Sequence, residues 1–398
     1  YDEFYEVIAY LNTSHTFNKP VEVGIFETTI RVLGGLLSAY ELSGEPILLD
    51  KAYDIGTKLF QCIEGRPIPY ASVDLQSGHV SNPSWLGMSQ SLAEVTTIQL
   101  EFKKLSQYTG INKFNTATQE IMRRVLKHIP VSGLFPIYIN MHNGAPANGV
   151  VTLGARGDSF YEYLVKQWAM TNFTEDWLKE AYEKVSEGIV NHLMVQMDDT
   201  HAFVAESNRV ELPLLLEFKM DHLVCFVVGM LELGKHGATA VKHSKAAADV
   251  ARTCYNIYDM NPTHLGVEIV RFRENKKDMY ASPGAHHYIM RPEVMEAMFY
   301  MQRFHPEEHA VWGDMAWSMY EAMEKHLKVP SGWVGLEDAT TSHSAKRDKM
   351  ESFFVAETLK YAFLCAAGSA DIASKQLPLS EWVFNTEAHP LRVLPGPL

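Results

Sequence analysis

Cysteine is scarce in this chain. Four cysteines in 398 residues, Cys62, Cys225, Cys254 and Cys365, are too few for a disulfide scaffold, and their spacing fits no zinc motif. One bridge is possible. Basic patches are lacking too. Lys and Arg number 35 against 48 Asp and Glu, a formal net charge of −13, so nucleic acid is not an expected partner. No apolar run approaches the roughly 20 residues that span a bilayer, and no membrane contact is expected of this segment. There is no initiator Met and no signal peptide ahead of Tyr1; the chain starts inside a helical pattern, Tyr1 to Tyr10. It is expected to have been trimmed, with any anchor in the missing piece. A phosphate loop, a dinucleotide fingerprint and a His-Glu-X-X-His signature are all absent, which excludes the commonest nucleotide and zinc-hydrolase chemistries.

What the chain does have is apolar residues, 46% of the total, in stripes of helical spacing. They run through 26–42, 46–63, 88–109, 113–129, 157–170, 175–197, 218–233, 239–258, 292–304, 308–326 and 348–367. With the first segment these predict about twelve helices. The loops between them, 64–86, 131–156, 259–290 and 327–347, are too long for bundle turns. Short strands are expected inside them at 135–139 and 287–290, and again at Trp382-Val383-Phe384. No stretch reads as a linker. We expect an all-α chain forming one domain, 1–398: a barrel of paired helices with functional loops and short strands at one end. Two sequons, Asn12-Thr13-Ser14 and Asn172-Phe173-Thr174, mildly favour a secretory compartment; Asn82 and Asn261 are excluded by the proline that follows each.

Charged residues interrupt this pattern at particular places. Glu27 and Arg31 are four apart and can pair, and Gly34, Gly35 and Ser38 let another backbone come close to the same helix. Ser91 and Glu94 read as a capping box, as do Ser159 and Glu162. The second box puts Asp158, beside Gly154, Arg156 and Gly157, at a helix mouth, where the dipole favours its charged form. Asp221 and His222 head a very apolar helix. Arg291-Pro292-Glu293 puts Glu293 in a first turn. Glu357 shares a stripe with Met350, Phe353, Phe354 and Tyr361, and a buried carboxylate must be bonded or paired. Near the C-terminus, Asn385-Thr386-Glu387-Ala388-His389 packs an amide, a hydroxyl, a carboxylate and an imidazole into five residues. So dense a set of oxygen donors suits a hard cation such as Ca²⁺. Carboxylates, arginines and aromatic faces without a nucleophile motif describe sugar chemistry, in which one carboxyl protonates the leaving oxygen and a second activates water.

Residues 26–35 (Phe-Glu-Thr-Thr-Ile-Arg-Val-Leu-Gly-Gly), 154–163, 220–226, 291–293, 350–361 and 384–389, taken in order, resemble the class I α-1,2-mannosidases, glycoside hydrolase family 47. The similarity covers nearly the whole chain. It implies an (α/α)7 barrel from which the N-terminal helical region, with its Leu-Asp-Thr motif, is missing here. It implies Ca²⁺ held by the carbonyl and hydroxyl of Thr386, with waters ordered by Glu94, Glu357 and Glu387. It implies hydrolysis with inversion of terminal α-1,2-linked mannose on high-mannose N-glycans. Glu27 would be the general acid, with Asp158 its rival, and Glu293 the base. Phe353 would stack under the mannose, and Arg31, Arg156, Arg291 and His222 would line the glycan pocket. Cys225 and Cys254 match the family's disulfide. Arginine at 156 resembles the endoplasmic reticulum type, where Golgi members usually carry leucine. The implied location is the endoplasmic reticulum or Golgi lumen, and the expected state a monomer.

The resemblance and the physics part at one point. Arg31, one turn from Glu27, and the nearby helix start should both lower the pKa of Glu27, whereas an acid needs a raised one. On that ground alone Glu357 would be the proton donor. The rival function is that of a mannose-binding, lectin-like relative in glycoprotein quality control with little hydrolysis.

Overall fold

The apolar stripes become two layers of helices in the computed structural model, which describes residues 2–147, 149–276, 278–366 and 375–398. An inner layer runs through Gly34–Ser43, Gln99–Thr109, Asp158–Met170, Val227–Leu233, Glu293–Phe304 and Leu359–Cys365, each packed on the next. The first five each pair with the helix that follows in sequence: Pro46–Phe60, Lys113–Leu126, Asp176–Gly188, Ala240–Asp259 and His309–Leu327. This is the paired, all-α barrel architecture expected from the helical periodicity. The layers differ as burial demands. Outer helices keep a polar face, while Asp158–Met170 is buried from Ser159 onward and Glu293–Phe304 is buried through Gln302. Glycine stops two inner helices: Gly44 and Gly110 take positive φ and return their N–H to Tyr40 and Ser106.

Helix forms within all twelve expected segments, but three are not helical throughout: 88–109 opens on the strand Ser89–Ser91 and breaks between Leu92–Thr96 and Gln99–Thr109, 175–197 closes in the strand Met194–Gln196, and 218–233 opens on the strand Lys219–Asp221; the expected end of the last segment, at 367, lies outside the described residues. Three segments carry a π-helical turn, at Thr29–Leu33, Ile189–Leu193 and Phe354–Thr358. The strand expected at 135–139 forms later, as Tyr138–Asn140 paired with Ser89–Ser91. The one expected at 287–290 does not form. Only Tyr288 bridges, to Leu336, because Met290 turns to φ 68 and ends the extended run just before Arg291.

A β-hairpin from the C-terminal end runs into the middle of the inner layer. Trp382–Phe384 pairs antiparallel with Pro390–Arg392, and the tip between them is bonded to helices on several sides. Asn385 Nδ2 donates to Ile30 O (3.0 Å) and to Glu101 Oε1 (2.8 Å). Lys360 Nζ donates to Ala388 O at 2.7 Å, and beyond the second strand Leu394 N donates to Met170 O at 2.7 Å. The small residues expected to admit another backbone do so. A Cβ on Gly34 would lie 2.6 Å from Asn385 Nδ2, and one on Gly35 would lie 3.3 Å from the His389 ring.

Cys225 and Cys254 are bridged across a sequence separation of 29, a loop whose closure is worth roughly 3–4 kcal/mol on the chain-entropy account. Cys62 and Cys365 are free and buried. Among the described residues no helix is long and apolar enough to cross a membrane.

The hairpin seat gives a direct test of this packing. Gly34→Ala should cost roughly 1–3 kcal/mol, the range for overfilling a packed core, and urea unfolding would measure it. A midpoint equal to that of the unmodified protein would mean the hairpin is not seated against this helix.

Candidate active site

The hairpin tip forms the floor of a cavity of about 310 Å³. Helix starts surround it. Glu27 comes from the short helix Ile25–Thr28, Glu94 from Leu92–Thr96, and Asp158 and Glu293 are the first residues of two inner helices. Arg31 and Glu357 sit in the two π-helical turns nearest the tip. Such a turn re-aims side chains by adding a residue to the helix, and it recurs at functional sites.

The carboxyls facing this space are Glu27, Glu94, Asp158, Glu162, Glu293, Glu296, Glu357 and Glu387; the guanidiniums are Arg31, Arg156 and Arg291; Phe353 and Thr386 complete the expected set. Residues scattered over most of the chain thus share one cavity. His222 is the exception. It is 1% exposed and lies behind Glu293, with Nδ1 at 2.8 Å from Glu293 Oε2 and Nε2 at 2.8 Å from Tyr258 Oη. Leu223, the next residue, lines the cavity in its place.

Each charged group has a partner that sets its direction. Arg31 Nε meets Glu27 Oε2 at 2.7 Å, and its Nη1 reaches both oxygens of Glu387, at 2.7 and 2.8 Å. The Arg31 guanidinium also stands 5.7 Å from the centre of the Phe353 ring, within cation–π range. Arg291 Nε donates to both oxygens of Glu268, at 2.8 and 2.9 Å, and Nη1 lies 3.9 Å from Glu293 Oε1. Arg156, held at φ 74, is 3.3 Å from Glu94 Oε1 and 4.8 Å from the exposed Trp85 ring. Thr386 Oγ1 donates to Glu162 Oε2 at 2.8 Å. Below them, buried Lys166 is bonded to Glu162 and lies 3.6 Å from Glu296.

Burial and crowding divide the carboxyls. Burial pushes Asp158 up to about 7, with the Glu162 and Glu293 charges adding to it. Burial likewise pushes Glu296 to about 8 and Glu387 to about 7, and holds Glu357 well above the carboxylate range, where the Glu387 and Glu293 charges reinforce it. Glu293 goes the other way. Burial opposes its charge, but the hydrogen bond and charge of His222 and the charge of Arg291 outweigh that and hold it below the usual range.

Two expectations are corrected here. Its place at a helix start does not hold Asp158 in the usual carboxylate range, because desolvation outweighs the backbone N–H of Ser159 and raises it to about 7. Neither capping box forms. Ser91 is at an N-cap position but makes no capping bond, Gly157 is the cap of the Asp158 helix, and Glu162 turns inward to Lys166 and Thr386. The spacing that suggested a box also fits a helix face pointing into a cavity. Glu162 and Glu296 were not singled out as site residues. A signal was present: Glu162 follows Asp158 by four and Glu296 follows Glu293 by three, the spacing of one helix face.

Among the described residues no three His, Cys, Asp or Glu side chains converge as direct metal ligands. The oxygen set still fits a hard cation. Thr386 offers hydroxyl and carbonyl oxygens at the floor, and the carboxyls around it outnumber the cations. That pattern suits an ion held largely through water.

A two-layer helical barrel with an acidic cavity over a β-hairpin is a fold already seen in solved structures. The α-1,2-mannosidase from Trichoderma reesei superposes with a TM-score of 0.87 at 24% identity, covering 99% of this chain and 87% of that one. The Glycosyl hydrolase family 47 profile matches residues 1–393, and the chain belongs to that family. Mannosyl-oligosaccharide 1,2-alpha-mannosidase MNS1 of Arabidopsis thaliana is 40% identical over 99% of this chain and 69% of its own length. The endoplasmic reticulum mannosyl-oligosaccharide 1,2-alpha-mannosidase of Rattus norvegicus is 40% identical over 98% of this chain. The chain spans only 59% of that relative's length.

Proposed function

We infer that this chain is the catalytic unit, as one domain, of a mannosyl-oligosaccharide 1,2-α-mannosidase: a glycosidase that hydrolyses terminal α-1,2-linked mannose from high-mannose N-glycans, with inversion and with Ca²⁺. The observation that carries the reading is that Glu27, Asp158, Glu293, Phe353 and Thr386 line one cavity of about 310 Å³. Family membership and the names of the relatives support the substrate and a place in the secretory pathway, the lumen of the endoplasmic reticulum first.

The chain's own residues divide the work. Phe353 offers an apolar face to the sugar ring. Arg31, Arg291 and Arg156 grip hydroxyls, with Arg156 and Trp85 at the rim reading the branch. Glu293, kept ionised by His222 and Arg291, takes a proton from the attacking water. Thr386 would hold Ca²⁺ through its two oxygens, with Glu94, Glu162, Glu296, Glu357 and Glu387 ordering water around it. Bound there, the ion would fix sugar hydroxyls and neutralise the crowded carboxylates.

The proton donor has two claimants. The resemblance implies Glu27. A second reading, Asp158, is favoured by its enclosure, which raises it to about 7 while Glu293 is lowered. Carboxyls driven apart in this way are the signature of an acid and a base at one site. Glu27 by contrast has a side chain 58% exposed and paired to Arg31. If Asp158 donates, kcat falls as pH rises through about 7, because the required protonated form is lost. Asp158→Asn should then abolish that alkaline limb while Glu27→Gln keeps it; the reverse result assigns the donor to Glu27.

Turnover tests the base. Glu293→Gln should abolish mannose release from a high-mannose glycan while leaving glycan affinity largely intact, as measured by calorimetry; a variant that keeps most of its rate removes Glu293 from the role. The lectin-like alternative corresponds to binding without release in the unmodified protein. Calcium titration tests the floor: Thr386→Ala should weaken Ca²⁺ binding at least tenfold, about 1.4 kcal/mol, and an unchanged titration would take the ion elsewhere.

A further inference from the structure

The geometry points to Tyr258 as a positioning residue for the base, acting on Glu293 through His222. The inference rests on the role given to Glu293 above and extends it one step away from the substrate. Tyr258 does not line the cavity. Its hydroxyl lies 2.8 Å from His222 Nε2, and His222 Nδ1 lies 2.8 Å from Glu293 Oε2. His222, Tyr258 and Tyr288 are each 1% exposed, so solvent does not stand in for a lost partner.

Hydrogen-bond polarity gives this chain a direction. Tyr258 donates onward to Tyr288 Oη at 3.4 Å, which leaves its oxygen free to accept from Nε2–H. A carboxylate only accepts. Both ring nitrogens of His222 therefore point N–H groups at acceptors, one of them the base. Without the Tyr258 hydroxyl the Nε2–H would be buried and unpaired, at the full desolvation cost of that group. The ring would relieve this by rotating or by losing that proton, and either response loosens its hold on Glu293. Arg291 Nη1, 3.9 Å from the other oxygen of Glu293, would then compete for the freed carboxylate and turn it from the water it must activate.

The position of Tyr258 is over-determined, as a positioning role requires. It stands in the last turn of Ala240–Asp259. Its ring lies against Gly266, where a Cβ would come within 2.7 Å of Cε2; no larger residue fits there without moving the ring. Cys254, one turn earlier on the same helix, is bridged to Cys225, which follows His222 in the His222–Phe226 turn. The two elements that carry the ring pair are thus covalently tied beside it.

The test is Tyr258→Phe, which keeps the ring and removes the oxygen, assayed on a high-mannose N-glycan. Loss of a supporting group behind a first contact typically costs 10–100-fold, and here the loss should fall on kcat, with KM within about twofold. In a His222→Ala background the same change should add nothing, since its route to Glu293 is gone. An unchanged kcat, or an equal loss in both backgrounds, makes Tyr258 a packing residue and overturns the proposal. Tyr288→Phe serves if Tyr258→Phe does not fold: it keeps the accepting oxygen and should lower kcat less, and a rise in KM instead counts against the proposal. Glu293→Gln, run alongside, separates the two claims. If it is inactive while Tyr258→Phe behaves as the unmodified protein, only the positioning role fails; if it stays active, the base assignment fails and takes this inference with it.

Discussion

Like charges crowded into a small cavity are the constraint to which the rest of this structure answers. Glu27, Glu94, Asp158, Glu162, Glu293, Glu296, Glu357 and Glu387 share one space, and so many ionised carboxyls could not coexist there unassisted. Three devices hold the arrangement. Lys166, buried under Glu162 and Glu296, has its own proton secured by those charges, which outweigh its desolvation. Arg31 and Arg291 each serve two carboxylates. Burial raises Asp158, Glu296, Glu357 and Glu387, and the neighbouring carboxylate charges add to it, so protons can relieve the remaining repulsion. A divalent cation at Thr386 would do the same work as those protons. Glu293 is instead held in its charged form by His222 and Arg291.

The hairpin converts this local problem into a fold. Its tip must reach the cavity floor, so its strands must pass between inner helices, and the residues it passes are small or polar for that reason. Gly34 and Gly35 leave room for Asn385 and His389. Asn385 in turn satisfies Ile30 O and shares with the Tyr163 hydroxyl the task of bonding Glu101, a carboxyl buried in the core. Burial pushes Glu101 up to about 7. The same asparagine accepts from the N–H of Glu387 and of His389. One side chain therefore fixes the turn that carries Thr386 and ties it to two helices.

Much of this was legible in the sequence, and the limits follow one rule. Helical periodicity located the paired helices because the outer ones bury a stripe and keep a polar face, while the inner ones carry long apolar runs. Glu357 stood out as a carboxylate inside an apolar stripe, and it is buried with a strongly raised pKa. Local rules failed where tertiary demand replaced them. Ser159 and Glu162 have capping-box spacing, yet Glu162 is needed against Lys166 and Thr386. Asp158 has a dipole to keep it charged, yet it is enclosed among like charges. His222 looks like any histidine on an apolar helix; only the fold shows that Tyr258 and Glu293 flank it. The π-helical turns at Thr29–Leu33 and Phe354–Thr358 left no sequence signal that we can identify.

Glu357 shows why a raised pKa does not by itself assign a proton donor. Its desolvation made it the sequence's best acid, and burial does raise it well above the carboxylate range. But its charge neighbours are Glu387 of the hairpin tip and Lys360, which donates to Ala388 O of the same tip and is lowered by burial to about 8. A proton held there would relieve the crowding around the floor. A donor must combine a retained proton with a position across the sugar from the base. Asp158 is raised to about 7 and feels the Glu293 charge, whereas Glu27 is exposed and paired to Arg31. The pKa therefore narrows the choice to groups that can carry a proton at neutral pH, and geometry must make the choice among them.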